Sequence, residues 1–318
     1  DIIQLHVQGS IMEKISILGC GNVGANSAFF IAEKGITHVY LYDVKEGLSQ
    51  GKALDMMEAS PIRKYRNKII GVEKIEDIAD SQVVVIAANQ YLKPGMNKEE
   101  LLNGNIRIID DLGEKIKKIT PSSIVIMATE PVDILTSYFV KKFNYKREKV
   151  LGVGGILDST RLRFYISKNL SISLENISAL VIGPHNENMV IVPEYCRVSG
   201  TPLKELMDSE QIDSIFTETR TAGKYVVEMA GKSRTYYSPS AAVCEIVDSI
   251  HMNLNRILPV SVVFNGEYGL QDIAMSLPCV IGKNGIEKII LPKLKKEDLE
   301  IFKKSALQMR EKLERVAV

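Results

Sequence analysis

Several absences narrow what this 318-residue chain can do. Charge of one sign is not in excess: Lys and Arg total 40 against 39 Asp and Glu, so no global field draws the chain to nucleic acid or to an acidic membrane. No run of about 18 apolar residues exists to span a bilayer. Cysteine is scarce and scattered; Cys20, Cys196, Cys244 and Cys279 form neither a Cys-x-x-Cys pair nor a framework spacing. They read as reduced thiols of a cytoplasmic protein with no metal site. Cys20 lies in a glycine-rich turn without a basic neighbour, so it reads as a small packing residue rather than a reactive thiol. No secretory signal is visible, since Asp1 to Ile11 lacks both a basic start and a sustained apolar run. A Gly9-Ser10 pair sits just before Met12, and residues 1–11 read as a leader of expression-vector origin, set apart from the fold. Repeats and low-complexity linkers are missing too. What is present is an ordinary globular composition, 45% hydrophobic and 25% charged. It is long enough for two packed units and suited to a metabolite-sized partner.

From Glu13 to about Val153, short β-rich runs alternate with helical segments. The runs are Ile15 to Leu18, His38 to Tyr42, Val83 to Ile86, Ile124 to Met127 and Lys149 to Leu151. The helical segments include Asn22 to Lys34, Leu48 to Ala59, Lys98 to Lys118 and Pro131 to Lys142. Continuous apolar strands separated by helices predict an α/β fold, a doubly wound parallel sheet of the Rossmann type covered on both faces. After residue 153 the pattern changes. A helix around Asp158 is followed by short strands at Ile177 to Ile182 and Val190 to Val192, then helices at Glu210 to Ala230 and Ser240 to Met252. Strand-like pieces follow at Leu258 to Phe264, Val280 to Ile281 and Ile289 to Ile290. A final amphipathic helix carries Leu299, Phe302, Ala306, Met309, Leu313 and Val316 on one face, a stripe that reads as core packing. The division expected is a nucleotide-binding domain over 12–153 and an α+β substrate domain over 154–318.

Gly19-Cys20-Gly21-Asn22-Val23-Gly24 follows the first strand and opens the first helix. A lone G-x-G-x-x-G is a weak signal, but this one stands in the right context. Gly19 allows the tight turn, Gly21 lets a pyrophosphate approach the backbone at the helix N-terminus beside Asn22 and Val23, and Gly24 lets helix and strand pack closely. Asp43 closes the second strand, where an acid accepts both ribose hydroxyls of NAD and repels a 2′-phosphate. The plainer readings are a tight turn and a strand-end cap. With all four residues in register, the dinucleotide reading prevails, with NAD rather than NADP.

Downstream, Gly155-Ile156-Leu157-Asp158-Ser159-Thr160-Arg161 and Gly183-Pro184-His185 together supply a carboxylate, a guanidinium and an imidazole. Asp158 and Arg161 are three apart on a helix and can share a face. A carboxylate on one imidazole nitrogen fixes the tautomer while the other nitrogen exchanges a proton with substrate. An arginine can hold a substrate carboxylate in a two-bond fork. A surface ion pair with an unrelated strand-end histidine fits these residues equally well on their own.

Taken with Lys93-Pro94-Gly95-Met96, these motifs occur in an order that resembles the lactate/malate dehydrogenase family, over essentially the whole chain from Met12. The malate enzymes of its lactate-like branch are the nearer resemblance. It implies hydride transfer between NAD and C2 of a 2-hydroxy acid, with His185 as proton donor and acceptor, Asp158 orienting it and Arg161 clamping the C1 carboxylate. It also implies a homo-oligomer, a dimer or tetramer.

Departures from the family pattern complicate the substrate. Lys98 stands where an arginine usually polarises the ketone; it keeps the charge and loses the planar fork. Its plainer reading is a solvated lysine at a helix start. Leu92 stands where the family reads the far end of its substrate, with arginine typical of malate enzymes and glutamine of lactate enzymes, and it cannot pair a second carboxylate. Thr235, where malate enzymes tend to have alanine, also leans toward lactate-like substrates. Against this, neighbouring Lys93 offers a cation. Glu130 replaces an asparagine that touches nicotinamide and substrate; ionised, it repels a substrate carboxylate and stabilises oxidised nicotinamide. An acid favoured by the helix dipole after Pro131 is its plainer reading. The expected activity is that of a malate- or lactate-type dehydrogenase. A dehydrogenase for a larger apolar 2-hydroxy acid and a cofactor-binding protein with weakened catalysis are the alternatives.

Overall fold

The computed structural model describes residues 14–90, 96–231 and 235–316. The first half runs β1 (Lys14–Leu18), α1 (Asn22–Glu33), β2 (Val39–Tyr42), α2 (Leu48–Glu58), the single-turn α3 (Ser60–Arg63), β3 (Ile69–Val72) and β4 (Ser81–Ile86). It continues through α4 (Lys98–Ile119), β5 (Ile124–Met127), α5 (Val132–Phe143) and β6 (Val150–Gly152). Six parallel strands pair in the order β3-β2-β1-β4-β5-β6, the doubly wound arrangement in which the direction of winding, not of the strands, reverses between β1 and β4. Every residue of Val83–Ile86 and Ile124–Met127 is at most 1% exposed, which is why these strands read as unbroken apolar runs. Helix α4 begins at a capping box in which Asn97 accepts from Glu99 and Glu100 N–H, and Glu100 reaches back to the Asn97 N–H.

The second half comprises α6 (Gly154–Leu170), β7 (Ile177–Ser178), β8 (Val181–Ile182), β9 (Val190–Ile191), β10 (Arg197–Val198) and β11 (Thr201–Pro202). Then come α7 (Ser209–Met229), α8 (Tyr237–His251), β12 (Arg256–Asn265), β13 (Gln271–Gly282), β14 (Gly285–Ile289) and α9 (Lys296–Val316). Strands β12 to β14 form an antiparallel meander that joins the first sheet through Ser261 opposite Gly152, making nine strands in all. A separate cluster of Leu162, Ile166, Ile177, Val181, Ile191 and Ile215 forms a second core beneath α6 and α7.

Three expectations from the sequence need correction. The segment from Ile177 to Ile182 is not one strand. Ser178 pairs with β10, whereas Val181 and Ile182 pair with β9. Between them the Leu180 carbonyl accepts from Val192 N–H, and the Ser159 hydroxyl accepts from Val181 N–H, so the chain changes partners mid-run. Strand β3 escapes the pattern because it is a four-residue edge strand, half-buried at Ile70 and Gly71. The strand-like pieces after Leu258 are parts of longer strands, since β12 has ten residues and β13 twelve. The stripe on α9 does pack inward: Phe302, Ala306 and Met309 are buried, with Phe302 against Phe264 and Tyr268. The Val316 side chain lies outside the described residues.

Ser276 on β13 ties the site-bearing segments to the sheet. Its backbone exchanges two hydrogen bonds of 2.9 Å with Gly183, and its hydroxyl accepts from the Gly155 N–H at 2.8 Å. Gly155 must be small here, because a Cβ would stand 2.6 Å from the Ser276 Cβ. Ser276→Ala leaves the buried Gly155 N–H without an acceptor. We expect it to lower stability by about 1–3 kcal/mol, read as a lower urea midpoint at unchanged m value.

Candidate active site

The glycine turn lies at the carboxyl ends of β1 and β4, where a doubly wound sheet opens a crevice. Gly19 has φ +104°, and its N–H donates to the Tyr42 carbonyl at 2.8 Å. A Cβ on Gly24 would stand 1.9 Å from the Gly19 carbonyl oxygen, so α1 packs on the turn at a distance only glycine permits. A Cβ on Gly21, in contrast, would meet nothing within 4 Å; its absence leaves open space over the backbone. Helix α1 starts there with no side-chain cap and no acid in its first turn, so its leading N–H groups are left to an anion. Asn22 is exposed and Val23 half-buried in that first turn. Ser240 of α8 donates to the Val23 carbonyl at 2.9 Å and brings that helix alongside. Asp43 accepts from Cys20 N–H at 2.7 Å and Lys45 N–H at 2.9 Å. Each of its oxygens keeps a second lone pair for a hydroxyl donor. These residues fit a dinucleotide with free ribose hydroxyls. Burial pushes the Cys20 thiol up to about 12, in keeping with a packing role.

The carboxylate, guanidinium and imidazole come together. His185 Nδ1 is 2.7 Å from Asp158 Oδ2, and Arg161 donates to Asp158 Oδ1 at 3.4 Å. Asp158 is 1% exposed, held at the buried side of α6. Gly223 on α7 faces the guanidinium, where a Cβ would lie in ordinary van der Waals contact at 3.5 Å. His185 is fixed through its backbone as well, donating from its N–H to Asp133 Oδ2 at 2.7 Å. Sequence reasoning missed Asp133, a buried acid in the first turn of α5 that also accepts from the Ser261 hydroxyl at 2.6 Å. A first-turn acid reads as a helix-dipole residue, and only its burial sets it apart. The turn after His185 closes locally, with Asn186 N–H on the Pro184 carbonyl and Asn188 N–H on the Asn186 side chain.

Glu130 lies on the open side of the imidazole. Its Oε1 is 3.4 Å from His185 Nε2, and its Oε2 accepts from Val132 N–H at 3.1 Å. The Glu130 carbonyl accepts from Asn105 of α4, which in turn accepts from Gln90 N–H, so the β5–α5 turn is braced from both sides. The side chain is 49% exposed. Burial in the cleft works against its ionisation, but the neighbouring His185 and Arg161 charges and the Val132 N–H outweigh it and hold the carboxyl below its ordinary range. Burial likewise works to deprotonate His185; Asp158 and Glu130 outweigh it and raise the imidazole well above its usual value. Lys98 is not brought into this cluster: it stands exposed in the first turn of α4. It shares a helix face with buried Leu102 and Asn105, roughly 10 Å along the axis from Asn105. Thr235 is half-buried ahead of α8 and takes no part in the cluster's hydrogen bonds. Leu92 and Lys93 lie outside the described residues.

Two family models match the chain along almost its whole length. A family model described as lactate/malate dehydrogenase, NAD binding domain, matches residues 13–152. Its companion, described as the lactate/malate dehydrogenase alpha/beta C-terminal domain, matches residues 156–318. Malate dehydrogenase of Heliobacterium modesticaldum is 38% identical over 293 residues, covering 92% of this chain and 95% of that protein. The apo structure of malate dehydrogenase from Picrophilus torridus superposes with a TM-score of 0.92 at 34% identity, over 96% of this chain and 97% of that one. Lactate dehydrogenase from Cryptosporidium parvum, solved with lactic acid and nicotinamide adenine dinucleotide, gives 0.91 at 33% identity, over 96% and 98%.

Burial pushes the Asp133 carboxyl up to about 6, against the pull of its Ser261 and His185 hydrogen bonds. With 3.8 as the ordinary value, the folded state holds a proton that the unfolded chain has lost over roughly pH 4 to 6. Stability therefore falls as pH rises through that window, by up to about 3 kcal/mol. In Asp133→Asn the amide still accepts from His185 N–H and can donate to Ser261. We expect this component of the pH dependence to vanish, measured as the difference between wild-type and variant urea midpoints from about pH 4 to pH 7.

Proposed function

The chain belongs to the lactate/malate dehydrogenase family, and from that premise we propose how its residues carry out the NAD-dependent interconversion of a small 2-hydroxy acid and its 2-oxo acid. The observation that carries the proposal is His185, with Nδ1 committed to Asp158, which also accepts from Arg161, and Nε2 facing the half-exposed Glu130 side chain at 3.4 Å. Arg161 holds the C1 carboxylate by a two-bond fork, which places C2 and its oxygen at Nε2. His185 gives its Nε2 proton to that oxygen when the ketone is reduced and takes it back when the alcohol is oxidised. Asp158 keeps the ring in the required tautomer and stabilises the imidazolium. Gly21, Asn22 and Val23 would hold the cofactor pyrophosphate on the turn that Gly19 and Gly24 make possible, and Asp43 would hold its ribose; NAD, when bound, supplies the hydride acceptor or donor. Lys98, which stands exposed at the start of α4 and outside the cluster, is the charge that the family resemblance assigns to the carbonyl oxygen, without the fork of an arginine.

Leu92 offers no partner to a second carboxylate, and Thr235 adds no charge, so the far end of the preferred substrate is uncharged. The curated relatives are named malate dehydrogenases, which supports a malate-like ancestry. We assign residues 12–153 to the nucleotide-binding domain and 154–318 to the substrate domain. We place the protein in the cytoplasm as a homo-oligomer, a dimer or tetramer. Its free cysteines are buried, and no helix among the described residues is long and apolar enough to cross a membrane. Exposed apolar side chains at Leu54, Ile62 and Phe164 support association.

A cofactor-binding protein with weakened catalysis is the second reading, favoured by the exposed position of Lys98. His185→Ala separates the two: we expect NADH to bind still, while 2-oxo acid reduction falls by about two orders of magnitude or more. NADH binding by the wild type with no turnover of any 2-oxo acid would establish the rival. With NADH as reductant, kcat/KM for pyruvate or a branched 2-oxo acid should exceed that for oxaloacetate. A clear advantage for oxaloacetate would refute the uncharged far end.

A further inference from the structure

We propose that Glu130 is a specificity-determining residue that occupies the proton-donating position of His185 in the free enzyme, so that a substrate enters by displacing it and dianionic substrates are selected against. The inference rests on the reading of the site given above. Asp158 already takes Nδ1 at 2.7 Å, which leaves Nε2 as the one ring nitrogen open to substrate. Glu130 Oε1 stands 3.4 Å from that nitrogen, within ion-pair distance. An imidazolium has a single N–H at Nε2, and the C2 oxygen of a 2-oxo acid must come within about 3.2 Å of it. The two oxygens therefore compete for one donor.

The construction of Glu130 suits displacement. Its backbone is locked, because Asn105 donates to its carbonyl at 2.6 Å. Its side chain is 49% exposed and has one other anchor, the Val132 N–H at 3.1 Å. The carboxylate can thus swing to solvent while the turn stays in place. Charge then decides which substrates can displace it. Asp158 and Arg161 face His185 from α6, Glu130 from the β5–α5 turn and Asp133 from α5, while β12 and β13 contribute only the hydroxyls of Ser261 and Ser276. Two cations thus meet three acids, of which Asp133 loses its proton only at about pH 6. Among the described residues no surplus positive charge faces the imidazole, and repulsion from Glu130 acts twice on a dianion and once on a monoanion.

Two variants test this, Glu130→Gln, which keeps the shape, and Glu130→Asn, which shortens the side chain. With NADH saturating, KM for oxaloacetate should fall on the order of tenfold in both, and KM for pyruvate by less. In the free protein, with no cofactor present, NMR titration of the His185 imidazole, identified by its loss in His185→Gln, should move to lower pH when Glu130 becomes Gln. Unchanged KM values in both variants of an active enzyme, or an unmoved His185 titration, would overturn the proposal. If the wild type reduces no 2-oxo acid, the catalytic reading fails, and the titration alone then decides whether Glu130 occupies Nε2.

Discussion

The hydrogen bond between His185 Nδ1 and Asp158 is the contact on which the remaining arrangement depends. It is buried, and a carboxylate sealed from water costs several kcal/mol unless its lone pairs are taken up. Asp158 is satisfied by the imidazole and by Arg161, and Asp133 by the His185 N–H and Ser261. These two acids come from α6 and α5, the histidine from the loop after β8 and the serine from β12. Four segments distant in sequence are therefore cross-linked through these two acids, and the cluster is a joint of the fold. Breaking one partner strands a buried acid, so site and stability are coupled.

That coupling explains the small residues around it. Gly155 and Gly183 both lie against Ser276, which holds the start of α6 and the histidine loop to one point on β13. A Cβ on Gly154 would stand 2.9 Å from the His185 Cβ. The imidazole cannot back away from substrate, because the space behind it is filled by main chain. Precision comes from backbone packed on backbone, which has fewer soft torsions than a side-chain contact.

Sequence carries the parallel half of the fold well, because strands buried on both faces must be continuously apolar. Val83–Ile86 and Ile124–Met127 are legible for that reason. Ile69–Val72 is not: it is a short edge strand with a glycine in it, and its two half-buried residues dilute the signal. The antiparallel meander is legible as strands but not as an extension of the first sheet, since its junction rests on one residue pair, Ser261 with Gly152. In the site, Asp158 and Arg161 are legible as neighbours from helical spacing alone. The place of His185 beside them follows only from the resemblance to a known family. Asp133 is illegible because nothing in a first-turn aspartate distinguishes a buried anchor from a solvated cap. Glu130 is visible as a departure, but its contact with Nε2 depends on how the β5–α5 turn is braced by Asn105, a residue 25 positions away.

The two sides of the imidazole are built differently, and this separates chemistry from selection. On the inner side Asp158 and Asp133 are almost fully buried and each carboxylate oxygen accepts a hydrogen bond, so both are held in place whatever enters the cleft. They set the tautomer and position of the ring whatever the substrate. On the outer side Glu130 is half exposed, singly anchored and adjacent to the position that the reacting oxygen takes. Glu130, one of the residues where this chain leaves the family pattern, bears on the substrate's charge and lies outside the buried carboxylates. A chain can alter such residues without disturbing Asp158, because water and side-chain rotation absorb the change before it reaches the inner carboxylates. In the proposed mechanism, charge at the mouth selects the acid and the buried pair positions the imidazole that reacts with it.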